Sequence, residues 1–182
     1  MKNYMIKQGS HSSSPRLLKM ICNNTVSFDF RLHWEVWYDR KIVGDHLNKI
    51  CRLSSDPFNM NRFGLGWRPS EKMGIIELWS HVDIGNKFIP EKEIEKPHII
   101  AELKSPGLYF EAHGEIKICG ASDRPGKASI CVTDVYGVQH IKYRDFIDSL
   151  GPFNWLSGFY FGGNPVAPRD IVCGLNIPEY SI

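Results

Sequence analysis

The sequence predicts an all-β fold, a two-sheet antiparallel β-sandwich of the jelly-roll type in which one short helix is possible. Three observations support this prediction. Short segments that alternate apolar and polar residues recur along the chain, turn signals such as Pro106-Gly107 and Tyr136-Gly137 separate them, and no internal repeat or heptad pattern is present. Many short strands joined by regular turns are typical of sandwich folds.

The clearest strand is predicted over residues 28–38, where the alternation is almost unbroken. A period of two sends successive side chains to opposite faces of a sheet. One face is therefore apolar and carries Phe28, Phe30, Leu32, Trp34 and Val36. The other face is largely polar and carries Asp29, Arg31, His33, Glu35 and Trp37.

The remaining elements follow in order along the chain. Further strands are predicted over residues 46–53, 62–68, 75–84, 99–104, 108–113, 115–120, 128–134, 159–161 and 171–177, with a hairpin loop at 69–74. Residues 141–150 are the exception, because Ile141, Phe146, Ile147 and Leu150 are spaced as on a short helix that Gly151-Pro152 would end.

A chain of 182 residues is the size of one domain with its own core. Residues 1–15 are polar and rich in serine, which is typical of a mobile arm. We therefore predict an N-terminal arm over 1–15 and a β-sandwich domain over 16–182.

Composition narrows the partners and the compartment. The net charge of +2 gives no basic field for nucleic acid, and no run approaches the ~20 apolar residues of a membrane-spanning helix. The first residues do not resemble a signal peptide, so we expect synthesis in a cytoplasm. The five cysteines form no CxxC motif and are predicted to be buried thiols in a reducing compartment; they are Cys22, Cys51, Cys119, Cys131 and Cys173.

The candidate site is the polar face of two predicted strands, 28–38 and 75–84, joined by arginines of the hairpin partner 62–68. If these strands line one concave sheet, the groove offers aromatic faces for sugar C–H groups, and acids and arginines for hydroxyls or carboxylates. An ordinary solvated sheet face is the alternative. The candidate glycan-binding residues are Arg31, His33, Glu35, Trp37, Arg62, Arg68, Glu77, Trp79, His81 and Asp83.

Catalysis on this face is harder to support from the sequence. Glycosidases need two carboxylates, and Trp79 stands between Glu77 and His81 where a second acid would be expected. A lyase needs a cation for a uronate carboxylate and a base, for which Arg31, His33, His81 and Tyr38 are the right types. Burial of Trp79 and His81 would exclude that arrangement. No catalytic residue, metal site or cofactor is assigned.

Two segments resemble known proteins. Residues 161–171, Phe-Gly-Gly-Asn-Pro-Val-Ala-Pro-Arg-Asp-Ile, resemble the closing motif of concanavalin A-like jelly rolls, in particular those related to glucuronan-type polysaccharide lyases. Residues 62–68 followed by 74–80 are similar to short single-domain proteins of Bacteroidetes and their phages. The resemblance implies the fold over residues 8–177 and leaves the function open, because one fold hosts many functions.

Three functions follow as hypotheses. The leading one is a non-enzymatic structural module of a larger assembly, a phage virion component that decorates the capsid or associates with fibre or tail, with carbohydrate binding on the concave face. Its partners would be other protein subunits and a polysaccharide. The alternatives are a polysaccharide lyase-like enzyme acting on acidic glycans and a bacterial cytoplasmic interaction domain.

Overall fold

The computed structural model describes residues 1–44, 46–54, 62–84, 87–88, 99–118, 127–145, 154–162 and 166–178. These residues form 13 strands in two antiparallel sheets that pack face to face, which confirms the predicted β-sandwich. In spatial order, the six-stranded sheet contains β1 (Lys2–Ile6), β13 (Ile171–Asn176), β3 (Thr25–His33), β9 (Tyr109–Ile118), β10 (Lys127–Asp134) and β11 (Gln139–Asp145).

The seven-stranded sheet is built around a central meander of three long strands. It contains β2 (Leu18–Ile21), β12 (Asn154–Ser157), β4 (Asn48–Ser54), β5 (Arg62–Pro69), β6 (Ile75–Ile84) and β7 (Lys87–Phe88), with β8 (Ile99–Lys104) paired with β6 beside β7. The hairpin that joins β5 and β6 is closed by a hydrogen bond from Ser70 N to Ile75 O, at 2.9 Å.

The core lies between the sheets and follows from the alternation in each strand. In β3 every second residue is buried, and in β5 Phe63, Leu65 and Trp67 are fully buried. Each such side chain contributes about 1.5–3 kcal/mol by leaving water. The residues between them, including Gly64 and Gly66, therefore belong to the outer face of their sheet.

The strand predicted over 28–38 is too long at its end. Strand β3 stops at His33, and Trp34–Val36 form a 3-10 turn. A short helix, α1 (Arg40–Val43), follows and is capped by Asp39, whose carboxylate accepts a hydrogen bond from Lys41 N at 2.8 Å. The turn buries Val36 as expected, but Trp34, predicted on the same apolar face, is 46% exposed because the strand has ended before it.

Two further predictions of elements are corrected. The helix predicted over 141–150 is wrong for residues 141–145, which belong to β11 because they pair with β10; residues 146–150 lie outside the described part. The break predicted near Gly114 is also absent, since β9 continues through it. A Cβ at Gly114 would lie 2.7 Å from the Phe28 ring, so this glycine makes room for the core.

The first 15 residues contribute to the sandwich. Strand β1 pairs with β13 and buries Tyr4 and Ile6. The chain then runs beside the closing segment, where Gly9 N donates to Ala167 O at 3.0 Å and Gln8 N to an Asp170 carboxylate oxygen at 2.8 Å. Residues 163–165 of the closing motif lie outside the described part.

The cysteines divide into two groups. Cys51 and Cys173 are buried as predicted, and burial raises the pKa of both thiols. The prediction is wrong for Cys22, which is exposed just beyond the edge strand β2, and for Cys131, which is half-buried on the outer face of β10. Cys119 lies outside the described residues.

No helix in the ranges that the structure describes has the length and hydrophobicity needed to cross a membrane.

Candidate functional site

The residues predicted to form one groove lie in two different sheets. Arg31 and His33 lie on the outer face of the six-stranded sheet, followed by Glu35 in the 3-10 turn and Trp37 beyond it. The outer face of the seven-stranded sheet carries the others, namely Arg62, Arg68, Glu77, Trp79 and His81, and Asp83 occupies a β6 position opposite Arg62. Because the sheets pack through their inner faces, Arg31 and His33 point away from the described side chains of the second group. A groove containing all ten residues does not form.

The outer face of the six-stranded sheet is a set of local polar pairs. Arg31 donates to the Asn3 side chain at 3.1 Å, and His33 Nδ1 lies 3.0 Å from a Glu35 carboxylate oxygen. Asp29 lies 2.8 Å from His113 Nδ1 and accepts from Asn176 at 3.1 Å. The hydrogen bond from His113 holds the pKa of Asp29 below its usual range. Such exposed pairs are typical of a solvated sheet face.

The outer face of the seven-stranded sheet is crossed by three rows of residues in register. The first row contains Ser12, Tyr160, Lys49, Gly66 and Trp79. The second contains Leu18, Ser157, Arg52, Gly64 and His81. The third contains Met20, Trp155, Ser54, Arg62 and the β6 position of Asp83. In the middle of this face, Lys49, Arg52 and Tyr160 therefore lie on one side of Gly64 and Gly66, which carry no side chains.

A β-bulge brings Lys49 and Arg52 to the same face. Residues three apart in a regular strand point to opposite faces. The register of β4 against β5 shifts between Lys49 and Cys51, and both Ile50 and Cys51 are fully buried. The extra inward residue leaves Lys49 and Arg52 facing outward together, as bulges often do near functional sites.

Gly64 and Gly66 let the neighbouring backbone and side chains lie close to the sheet. A Cβ at Gly64 would lie 2.7 Å from Arg52 Cα and Cγ, and one at Gly66 would lie 2.5 Å from Asn48 O and 3.0 Å from Leu47 Cγ. Cβ atoms do not approach other atoms so closely, so neither position accepts a side chain without movement. The stem of Arg52 thus packs directly on the backbone of β5.

Tyr160 is the centre of the accessible part of this face. Its backbone exchanges two hydrogen bonds with Lys49, at 2.8 and 3.1 Å. Its half-buried ring has Lys49 Nζ at 5.8 Å and Arg52 Cζ at 5.7 Å from the centroid, close enough for cation–π attraction. The His11 ring stacks on it, with centroids 5.5 Å apart and planes 13° apart.

His11 is oriented by the backbone. Its Nδ1 lies 3.0 Å from Phe161 O, and a carbonyl oxygen can only accept a hydrogen bond. We therefore assign the proton to Nδ1, which leaves Nε2 of the neutral ring as an acceptor.

A buried ionic cluster lies at the β5–β6 hairpin end of the face. Glu77 Oε2 accepts from Arg68 Nε at 2.6 Å and from Trp79 Nε1 at 3.0 Å, and Arg40 Nη1 lies 3.8 Å away. The Arg68 guanidinium covers the Trp79 ring at 3.9 Å from its centroid. The cluster joins α1 to the sheet, and its groups are directed at one another.

Trp79 and His81 are 4% and 1% exposed. A polymer on this face does not reach them, and Arg31 and His33 lie on the opposite side of the molecule. The lyase arrangement predicted from Arg31, His33 and His81 is therefore excluded.

The residues that sequence analysis missed are His11, Lys49, Arg52 and Tyr160. The adjacent apolar pair Ile50-Cys51 between two basic residues is the signal of the bulge. His11 and Tyr160 give no local signal, since they meet only through the fold. Among the described side chains, no group of three or more His, Cys, Asp or Glu residues is arranged to hold a metal ion.

Comparison with protein-family models and with curated proteins finds no match. Solved structures of similar fold include a mutant of the alginate lyase Aly36B in complex with alginate trisaccharide, at 12% identity and a TM-score of 0.52 over 96% of this chain and 78% of that one. The marine PL-14 alginate lyase from Aplysia kurodai shows 13% identity and a TM-score of 0.48, covering 96% and 80%. The alginate lyase from Klebsiella pneumoniae shows 9% and 0.44, covering 86% and 61%.

Likeness at this identity shows the jelly-roll fold alone. It also corrects the leading hypothesis of a non-enzymatic phage virion module. The solved structure with a TM-score of 0.52 is an alginate lyase, so the lyase alternative fits this finding better.

Proposed function

We propose that this chain binds an acidic polysaccharide on the outer face of the seven-stranded sheet and acts on it as a polysaccharide lyase. The observation that supports this most is the cluster of Lys49, Arg52 and His11 around the half-buried Tyr160 ring. Positive charges beside an aromatic ring suit a sugar that carries a carboxylate. Gly64 and Gly66 add no side chains to the sheet surface next to this cluster.

Each member of the cluster has a part in binding. The planar guanidinium of Arg52 can form two parallel hydrogen bonds with a carboxylate, and Lys49 adds a second positive charge. The Tyr160 ring can cover the apolar C–H face of a sugar. Arg62 lies in the neighbouring row of the same face and would meet the next acidic unit of a chain.

The same groups can carry out elimination. In such a step a base removes the proton from the carbon next to the uronate carboxylate, and the electron pair forms a C=C bond. The C–O bond to the adjoining sugar breaks, and its oxygen leaves with a proton. We assign Arg52 to the carboxylate, His11 Nε2 to proton removal and the Tyr160 hydroxyl to proton donation.

One solved structure of similar fold, with a TM-score of 0.52, is an alginate lyase in complex with alginate trisaccharide. Alginate and other uronate polymers are therefore the first substrates to test, with neutral polysaccharides as the negative set.

The experiment incubates the purified protein with these polymers and follows co-precipitation and the ultraviolet absorbance of unsaturated uronate products. His11→Ala is compared with His113→Ala, an exposed histidine on the opposite face. We expect product from the wild type and His113→Ala and at least ~100-fold less from His11→Ala, the usual scale of general base catalysis. Binding without product would reject the lyase activity, and neither binding nor product would reject the whole proposal.

A further inference from the structure

A cleft lies beside the proposed glycan face. It has a volume of about 470 Å³ and is lined by Trp37, Asp39, Arg40, Lys41, Ser70 and Glu71. This volume is within the usual range for small-molecule sites. One wall comes from α1 and the segment before it, and the other comes from the β5–β6 hairpin.

The walls of this cleft are tied together by Arg40. Its Nη1 donates to Pro69 O at 3.2 Å, and its Nη2 lies 3.5 Å from a Glu71 carboxylate oxygen. The same guanidinium approaches Glu77 of the buried ionic cluster. Because these partners belong to the hairpin and the sheet, the wall formed by α1 is held in place, and the cleft is preformed.

The cleft lies at the hairpin end of the sheet that carries the glycan face. Glu77 contacts Arg40 on one side and Trp79 on the other, and Trp79 ends the row that contains Tyr160 and Lys49. Glu77 and Trp79 are two residues apart in β6, a distance of about 7 Å along a strand. The cleft and the Tyr160 cluster therefore lie on the same side of the seven-stranded sheet, with the buried Glu77 and Trp79 between them.

The charges of the cleft differ from those of the Tyr160 cluster. Two carboxylates, Asp39 and Glu71, oppose two cations, Arg40 and Lys41. A carboxylate ligand would meet both acids, whereas an uncharged sugar can donate hydroxyl hydrogen bonds to them and accept from the cations. Trp37 lines the cleft with its Nε1 buried and without an acceptor among the described residues, so ring carbons rather than the N–H face the opening.

We propose that this cleft binds an uncharged sugar unit of the same glycan, so that the preferred substrate combines acidic and neutral sugars. The assignment rests on the proposed function in that one polymer occupies both regions. The Trp37 ring packs against the apolar face of the sugar, while Asp39 and Glu71 accept from its hydroxyl groups.

Calorimetric titration with neutral disaccharides and trisaccharides built from glucose, mannose or galactose tests this assignment. We expect binding of at least one of them, weakened roughly tenfold in Trp37→Ala by loss of the aromatic face. Glu71→Gln, at a side chain that is 83% exposed, should weaken it several-fold. Met73→Ala, in the same hairpin loop but outside the cleft and 82% exposed, should bind like the wild type.

The assignment is overturned if no neutral sugar of this panel binds, or if Trp37→Ala and Glu71→Gln both retain full affinity while folded. Parallel titration with a uronate trisaccharide separates the two claims. Loss of neutral binding with intact uronate binding in Trp37→Ala supports the cleft. Neutral binding by a wild type that ignores every uronate would keep the cleft and reject the function proposed for the Tyr160 cluster.

Discussion

The two outer faces of this sandwich carry similar residue types and differ in how they are built. On the six-stranded sheet, Asp29, Arg31 and His33 sit in an unbroken alternation and pair with exposed neighbours. On the seven-stranded sheet, a β-bulge directs Lys49 and Arg52 to the same outer face, and Gly64 and Gly66 beside them carry no side chains. The second face has a β-bulge beside its cations, whereas the described strands of the first pair without a register shift. Closely packed glycines occur on both faces, since a Cβ at Gly174 would lie 2.8 Å from Arg31 Cγ.

Since both outer faces carry charged and aromatic residues, residue type alone does not identify a binding face. Charged residues that alternate along a regular strand are what any solvated sheet shows. A bulge that directs two basic side chains to one face is an irregularity that a solvated sheet face does not need.

The largest effect is expected at Glu77. Glu77→Ala leaves Arg68 and Arg40 in a largely buried place without their shared carboxylate, and we expect a loss of about 3 kcal/mol in the free energy of unfolding. Urea denaturation measures it. Glu111→Ala, an exposed acid on the other face, should change stability by less than about 0.5 kcal/mol. Equal losses at both positions would remove the distinction between the faces.

The next largest effect is expected at Gly66, one of the two glycines on the outer face of β5. Gly66→Ala places a Cβ against Asn48 O and Leu47, and we expect a destabilisation of about 1–3 kcal/mol in urea. The matched control is Gly107→Ala, because an added Cβ there meets nothing within 4 Å and its φ is not positive. The control should be neutral or slightly stabilising. A neutral Gly66→Ala would show that the close approach at this position is not required.

Substituting one arginine on each outer face tests which face binds a uronate polymer. Arg52→Ala should weaken the affinity for a uronate polymer by roughly ten- to 100-fold, the range expected for a charge-assisted hydrogen bond. Arg31→Ala removes the same charge from the opposite face and should leave the affinity within about twofold. Affinity electrophoresis in gels containing the polymer measures both. A larger loss for Arg31→Ala would place the ligand on the six-stranded sheet.

The smallest effect is a pH dependence on the six-stranded face. The pKa of Asp29 is lowered in the folded state, first by the hydrogen bond from His113. Its contribution to stability is therefore present above the ordinary pKa of aspartate and is lost as the pH falls through the lowered value. Urea unfolding between about pH 6 and pH 2 should show a slightly shallower acid loss in Asp29→Asn. The difference stays small because both partners are exposed.

The fold was predictable from the sequence, because alternation in β3, β5 and β6 reports which residues enter the core. The same alternation wrongly extended the strand to Val36, because this residue is buried although it lies in a 3-10 turn. It also could not show that β3 and β6 belong to different sheets, since a period of two assigns faces only within one strand.

The site was predictable only in part. Arg62 and Arg68 lie on the proposed face, as their place in the hairpin suggested. His11 and Tyr160 are 149 positions apart in the chain and meet through the pairing of residues 10–14 with the closing segment. No local pattern encodes such a contact. The Ile50-Cys51 pair is the one part of the missed site that the sequence does show.

The most direct test of the central claim, that the glycan face is the outer face of the seven-stranded sheet, is an NMR titration of ¹⁵N-labelled protein with a uronate trisaccharide. We expect the backbone amide signals of Lys49, Arg52, Gly64 and Tyr160 to shift with increasing ligand while those of Asp29, Arg31 and His113 do not. Shifts confined to Asp29, Arg31 and His113, or no shifts on either face, would contradict it.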